Sequence, residues 1–258
     1  GASSAAAQAV VAEIEANGGE AISHGANVAI YSEVEDMVQQ TIAKWGRIDI
    51  LINNAGILRD KTFSKMSLDD FSLVMDVHLM GSVNCSKAVW DIMKEQQYGR
   101  IVMTTSSSGL YGNFGQSNYG AAKMAVIGLM NTLGIEGAKN NVRVNALAPT
   151  AATRMTEDLM PAEVLAMLVP EAVTAGALVL CHDDAPSRNI LCAGAGGYAT
   201  SAIFETEGVY LPPEQQTPEA VVAHWDKISD CSEQSKMETG FNQSEKFLLK
   251  AQKYLQDK

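Results

Sequence analysis

Tyr119 and Lys123 stand four residues apart, and Ser106 precedes the tyrosine by thirteen. Four residues apart on a helix puts two side chains on one face, one turn above the other. An ammonium near a phenol favours the phenolate and lowers a pKa that is ordinarily about 10. A tyrosine tuned this way exchanges a proton with an alcohol near neutral pH. A serine hydroxyl at a strand end can hold the same oxygen as charge develops on it. Tyr-x-x-x-Lys alone also fits an ordinary solvated helix face. What gives the three residues weight is the apolar run that delivers the serine, Arg100-Ile101-Val102-Met103-Thr104-Thr105.

That run reads as a strand. A glycine-containing loop follows it, and a helical pattern then carries Tyr119 and Lys123 as far as about Ala138. Elsewhere the chain alternates in the same way. A helical pattern over Ala5 to Ala16 stops at Asn17-Gly18-Gly19. Ala21 to Val28 is a short strand-like piece, and Glu33 to Trp45 is helical, with Val34, Met37, Val38, Thr41, Ile42 and Trp45 on one face. Ile48 to Ile52 is an apolar run of the buried, parallel-sheet kind and stops at Asn53-Asn54-Ala55-Gly56. Ser67-Leu68-Asp69-Asp70 has the form of a capping box opening a helix towards Met93. Asn141 to Leu147 is a strand ended by Ala148-Pro149, followed by helices over Pro161 to Leu168 and Ala172 to Cys181. Ile190 to Ala193 is a last strand, with Gly194-Ala195-Gly196-Gly197 as a strand-end turn.

Strand, helix, strand, helix predicts an α/β fold with a doubly wound parallel sheet, Rossmann-like, joined by right-handed crossovers. Ligands of such sheets bind beyond the carboxyl ends of the strands. Asn53 to Gly56, Ser106 and Pro149 to Thr153 all fall there. Residues 1–200 form this domain. Residues 201–258 differ: Thr217-Pro218-Glu219 starts a helix, Val221, Val222 and Trp225 share a face, Ser229 to Gln243 is polar loop, and Glu245 to Leu255 is a short amphipathic helix. They are expected to pack on the same domain as an extension covering the active site or an oligomer interface.

The net charge of −11 argues against a nucleic-acid partner, which would need a basic surface. No window approaches the ~18–20 apolar residues of a membrane span. Cys85, Cys181, Cys192 and Cys231 show no Cys-x-x-Cys pairing and read as reduced thiols in a reducing, cytoplasmic setting. No secretory pattern opens the chain and no Ser-Lys-Leu-type address closes it. Cys181-His182-Asp183-Asp184 resembles a metal-binding run, but no second cluster completes it, so no metal is expected.

Taken together, Asn53-Asn54-Ala55-Gly56, the Ser106/Tyr119/Lys123 spacing and Ala148-Pro149 resemble the short-chain dehydrogenase/reductase superfamily over roughly Ala2 to Gly197. A narrower likeness, to the (3R)-hydroxyacyl-CoA dehydrogenase domains of the type 2 peroxisomal multifunctional enzymes, rests on Ile57-Leu58-Arg59-Asp60, Tyr111 to Gln116, Ile135-Glu136-Gly137-Ala138, Leu180-Cys181-His182 and the Thr217 helix with Trp225. The resemblance implies hydride transfer between NAD, with NADP not excluded, and a (3R)-3-hydroxyacyl-CoA/3-ketoacyl-CoA pair in fatty-acid β-oxidation. An acyl-CoA-type substrate, a homodimer or homotetramer built on Met124 to Leu133, and a peroxisomal location for a longer eukaryotic chain go with it.

Carried over by position, Tyr119 is the general acid/base, Lys123 its tuner and a ribose contact, and Ser106 the holder of the substrate oxygen. Asn53, Ala55 and Gly56 would pass under the cofactor ribose, Asn27 and Val28 would meet the adenine, and Pro149 and Thr150 to Thr153 would flank the nicotinamide. Tyr111 and Gln116 would line the acyl pocket, with loop packing as the alternative. Met155, Met160 and Met167 would form an apolar lid or fill core.

His78 stands where the superfamily usually has Asn near a proton-relay water; a histidine can serve there, or simply pack in a helix seam. Asn27 replaces a common Asp, and Thr150 a common Gly. The superfamily's opening strand, Gly-rich loop, helix and second strand have no counterpart before residue 2, so about 30–45 N-terminal residues are expected to be missing. Two rival readings remain: an NADP-dependent ketoacyl or steroid/polyol reductase, and a non-catalytic nucleotide-binding or scaffold domain of a larger multifunctional protein.

Overall fold

The computed structural model describes residues 4–152 and 161–257. The chain divides into two compact units, Gly1–Thr200 and Ser201–Lys258.

The first unit opens with helices α1 (Ser4–Ala16) and α2 (Tyr31–Trp45). α2 buries Val34 and Val38, one turn apart, and ends at Gly46, whose φ of 75° is the left-handed cap that costs glycine nothing. Then follow β1 (Ile50–Asn53), α3 (Leu68–Met75), a π-helical turn (Asp76–Met80), α4 (Gly81–Gln96), β2 (Gly99–Thr104), α5 (Ser107–Tyr111) and α6 (Ser117–Gly137). β3 (Val142–Thr150), α7 (Ala162–Leu165), α8 (Glu171–Cys181), β4 (Ile190–Gly194) and β5 (Gly197–Ser201) complete it. Ser67 caps α3 as its sequence predicts, its hydroxyl accepting from the Asp70 amide at 3.1 Å.

The sheet has the order β1-β2-β3-β4-β5. β1, β2, β3 and β4 run parallel, with Ile52 opposite Val102 and Val102 opposite Asn145. Alternation along β2 supplies both cores. Ile101 and Met103 pack with Val38, Val89, Val126, Ile127 and Met130 on one face, and Val102 packs with Val173, Leu180 and Ala193 on the other. Helices therefore cover both faces, as the doubly wound reading requires, and the carboxyl ends of β1, β2 and β3 share one edge.

Four expectations need correction. Ala21 to Val28 is not a strand. No strand among the described residues lies alongside it, and its backbone is tied instead by side chains: Asn84 Nδ2 donates to Val28 O at 2.8 Å, and the Asn27 amide donates to Glu33 Oε2 at 2.7 Å. Among the described residues β1 is bonded to β2 alone, and Ile50 and Ile52 are 46% and 49% exposed where the apolar run predicts burial on both faces. β3 continues through Pro149 because its pairing with β2 ends at Leu147, leaving an unpartnered side for a residue with no N–H. β5 is an additional strand. The turn before it has φ of 48° at Ala195 and 76° at Gly196, the pattern of a tight hairpin with positive φ at both central residues.

At the opposite edge of the sheet, Arg100 is 1% exposed. Its guanidinium lies over the Tyr98 ring at 4.2 Å and donates to the carbonyls of Gly99, Asn141, His182 and Asp183 at 2.7–3.0 Å. Tyr98 Oη in turn donates to Asp183 Oδ1 at 2.6 Å. The Cys181–Asp184 run is thus the anchor of the α8 terminus, and no group of three or more metal-ligating side chains exists among the described residues.

In the second unit β6 (Glu205–Thr206), α9 (Pro218–Ala223), α10 (Trp225–Ile228), β7 (Gln234–Ser235) and α11 (Gly240–Gln256) follow in order. Thr217 caps α9, accepting from the Ala220 amide at 3.2 Å. β6 pairs antiparallel with β7, which lies in the stretch expected to be loop. α11 starts earlier than its apolar pattern, at a capping box of Thr239 and Asn242. Lys246 pairs with Glu205 and Lys250 with Glu207, tying α11 to β6.

Candidate active site

Ser106 is the last extended residue after β2, with φ −161° and ψ 154°, and its hydroxyl accepts from the Ser108 amide at 3.2 Å to start α5. The expected loop is therefore helical in its first half; Gly112 and Gly115, both with φ 81°, make the second half. α5 presses on α6 through Gly109, where a Cβ would come within 2.7 Å of Lys123 Cβ and 2.8 Å of its carbonyl carbon. This contact fixes Ser106 relative to the two side chains on α6.

The Ser106 hydroxyl lies near enough to the Tyr119 phenol to lower its pKa. Lys123 Nζ lies 5.5 Å from the Tyr119 ring centre, and His78 meets the same ring edge-on at 5.1 Å and 88°. Lys123 is 4% exposed; its ammonium donates to Thr104 O at 2.6 Å, and its backbone carbonyl accepts from Thr105 Oγ1 at 2.6 Å. Strand end and helix face are thereby locked together.

The electrostatics differ from the sequence expectation. Burial holds the Tyr119 phenol above its ordinary range; the Ser106 hydroxyl pulls it down and the Asp60 carboxylate pushes it up. Burial also lowers Lys123 to about 8. Desolvation is the largest cause for the phenol, and the Lys123 ammonium is turned onto the Thr104 carbonyl.

His78 is in the π-helical turn and 2% exposed. Its Nε2 lies 3.0 Å from the Ile57 amide and 2.8 Å from the Ile57 carbonyl, while its Nδ1 is buried without a hydrogen-bond partner. Burial, then the charge of Lys123, lowers its pKa to about 4, so the ring is neutral at pH 7. Its contacts are those of a residue that holds the loop after β1.

On that loop, Asn53 is buried, its Nδ2 donating to Ser86 Oγ and Met103 Sδ at 3.3 Å. Asn54 Oδ1 accepts from Thr104 Oγ1 at 3.2 Å. Ala55 and Gly56 are exposed. A Cβ on Gly56 would sit 2.4 Å from His78 Cε1, so this ledge stays bare of side chains. Pro149 and Thr150 end β3 on the same edge, whereas Thr153, Met155 and Met160 lie outside the described residues. Asn27 is exposed, with Oδ1 accepting from the Ala29 amide at 3.1 Å.

Tyr111 is 72% exposed. Gln116 is committed to loop packing: its Oε1 accepts from Ser108 Oγ at 2.7 Å and Asn113 Nδ2 at 3.1 Å, and its Nε2 donates to Asp60 Oδ2 at 2.7 Å. Sequence reasoning gave no individual role to Asp60 or to Asn118, which is wholly buried and bridges the Arg59 carbonyl and the Tyr119 amide. The one available signal was the position of Asn118 beside Tyr119.

A bare backbone ledge, a buried cation and a phenol–serine pair at the carboxyl edge of a parallel sheet fit the reactive half of a nicotinamide cofactor. This fold and site define an NAD(P)-dependent oxidoreductase. The chain belongs to the short chain dehydrogenase family, whose pattern matches residues 1–163. It is 46% identical over 242 residues to peroxisomal multifunctional enzyme type 2 of Mus musculus, covering 93% of this chain and 32% of that protein. It is 44% identical over 213 residues to a 3-oxoacyl-[acyl-carrier-protein] reductase of Synechocystis, covering 80% of this chain and 82% of that one. Among solved structures, full-length peroxisomal multifunctional enzyme type 2 from Drosophila melanogaster superposes with a TM-score of 0.82 at 37% identity, covering 97% of this chain and 44% of that chain. The chain spans about a third of the mouse enzyme's length. Among the described residues no helix is long and apolar enough to cross a membrane.

Proposed function

We propose that the protein oxidises (3R)-3-hydroxyacyl-CoA to 3-ketoacyl-CoA with NAD, as a step of fatty-acid β-oxidation. The observation that carries the substrate class is the likeness to the mouse multifunctional enzyme over 93% of the chain. The bound cofactor supplies the hydride acceptor. The protein's part is proton handling and placement. Tyr119 takes the hydroxyl proton of the substrate; the Ser106 hydroxyl, which acts on that phenol, holds the same substrate oxygen. Lys123 contacts the ribose and supplies positive charge beside the phenol. Asn53, Ala55 and Gly56 form the floor under that ribose, with Pro149 and Thr150 flanking the nicotinamide.

Tyr119→Phe removes the exchangeable proton while keeping the ring that packs against His78. Turnover of a hydroxyacyl-CoA should fall by about 10²–10⁴-fold with an unchanged melting temperature. Wild-type-like turnover would defeat the assignment. The 44% identity to a 3-oxoacyl reductase favours a second reading, reduction of a ketoacyl thioester with NADPH. Rates with NAD against NADP, and with CoA against acyl-carrier-protein thioesters, separate the two.

A further inference from the structure

We propose that Asp60 is a positioning residue of this site, holding the Gln116 loop that leads into the first turn of α6, on which Tyr119 is mounted. The inference rests on the acid/base role of Tyr119 proposed above. Four successive ties hold the segment that carries Asp60. His78 Nε2 meets the Ile57 backbone at 2.8–3.0 Å, and Asn118 Nδ2 donates to Arg59 O at 3.1 Å. Gln116 Nε2 donates to Asp60 Oδ2 at 2.7 Å, and the Lys61 amide donates to Gly115 O at 2.9 Å. Asn118 also accepts from the Tyr119 amide at 2.7 Å, so the segment is fixed to the first turn of α6 on which the phenol is mounted. The Gln116 amide passes the constraint on to Ser108 and Asn113.

Asp60 is also the carboxylate whose charge reaches the Tyr119 phenol and disfavours its ionisation. The other groups facing that phenol are Lys123 from α6, the neutral His78 from the π-helical turn, and Ser106 from the end of β2. Asp70 on α3 is engaged by Arg59 at 3.8 Å and Lys61 at 3.5 Å. Asp60 is thus the acceptor for Gln116, and its charge acts on the phenol in addition.

The test is the pH profile of kcat/KM for hydroxyacyl-CoA oxidation in wild type, Asp60→Asn, Asp60→Ala and Tyr119→Phe. Asparagine keeps an acceptor for Gln116 and deletes the charge. The rising limb should move to lower pH, with KM for the thioester within about two-fold of wild type. Alanine should move the limb equally and raise KM about five-fold or more, because the Gln116 loop is released. Asp60→Ser, an uncharged acceptor, replaces the asparagine variant if that one does not fold. If Asp60→Ala leaves KM for the thioester within about two-fold of wild type, the inference is overturned. If Tyr119→Phe keeps wild-type turnover, the acid/base reading has failed instead, and the two failures are told apart.

Discussion

Lys123 is the residue on which chemistry and stability conflict. It is 4% exposed, and burial lowers its pKa from 10.5 to about 8. A depressed lysine pKa means that the folded state binds the proton less well than the unfolded chain. The penalty is present in full below pH ~8 and vanishes above pH ~10.5, so this group lets stability rise as the pH climbs between the two. The depression corresponds to about 3 kcal/mol. Lys123→Met fills the same space without a charge. It should abolish turnover and raise unfolding free energy at pH 7 by about 1–3 kcal/mol, the gain shrinking by pH 10. Denaturant titrations at the two pH values check this; equal gains at both would rule out the desolvated charge as the cause. The residues of this site were legible because serine, tyrosine and lysine keep a fixed spacing. The direction in which the phenol is tuned was not, since it depends on how deeply the group is buried and on which carbonyl the ammonium faces.

At the scale of elements, the site is set by the contact between α5 and α6. Gly109→Ala would place a methyl 2.7 Å from Lys123 Cβ, 2.8 Å from its carbonyl carbon and 3.0 Å from the Met124 amide nitrogen. Helix backbone cannot yield as a side-chain tip can, so α5 must lift, taking Ser106 with it. The substitution should cost about 1–3 kcal/mol and lower kcat more than ten-fold, with cofactor affinity much less affected. Thermal melts, steady-state kinetics and cofactor titration read the three quantities; unchanged kcat would mean that Ser106 does not depend on this packing. Periodicity made α2, α3 and α6 readable, each with its buried stripe or cap. Ala21 to Val28 misled because a strand is defined by its neighbour, and none lies beside it among the described residues. β5 escaped notice because Gly197 to Thr200 are exposed and lack an apolar run. The π-helical turn is a matter of backbone register, which composition does not encode.

At the scale of the molecule, the alternation of strands and helices was enough to foresee a doubly wound sheet, because each parallel crossover needs a helix to return the chain. Exposure at the edge of that sheet could not be read from a single apolar run. Among the described residues β1 pairs with β2 alone, and its Ile50 and Ile52 are half exposed, so the carboxyl edge that carries Ser106 is framed by β2 and β3 from one side.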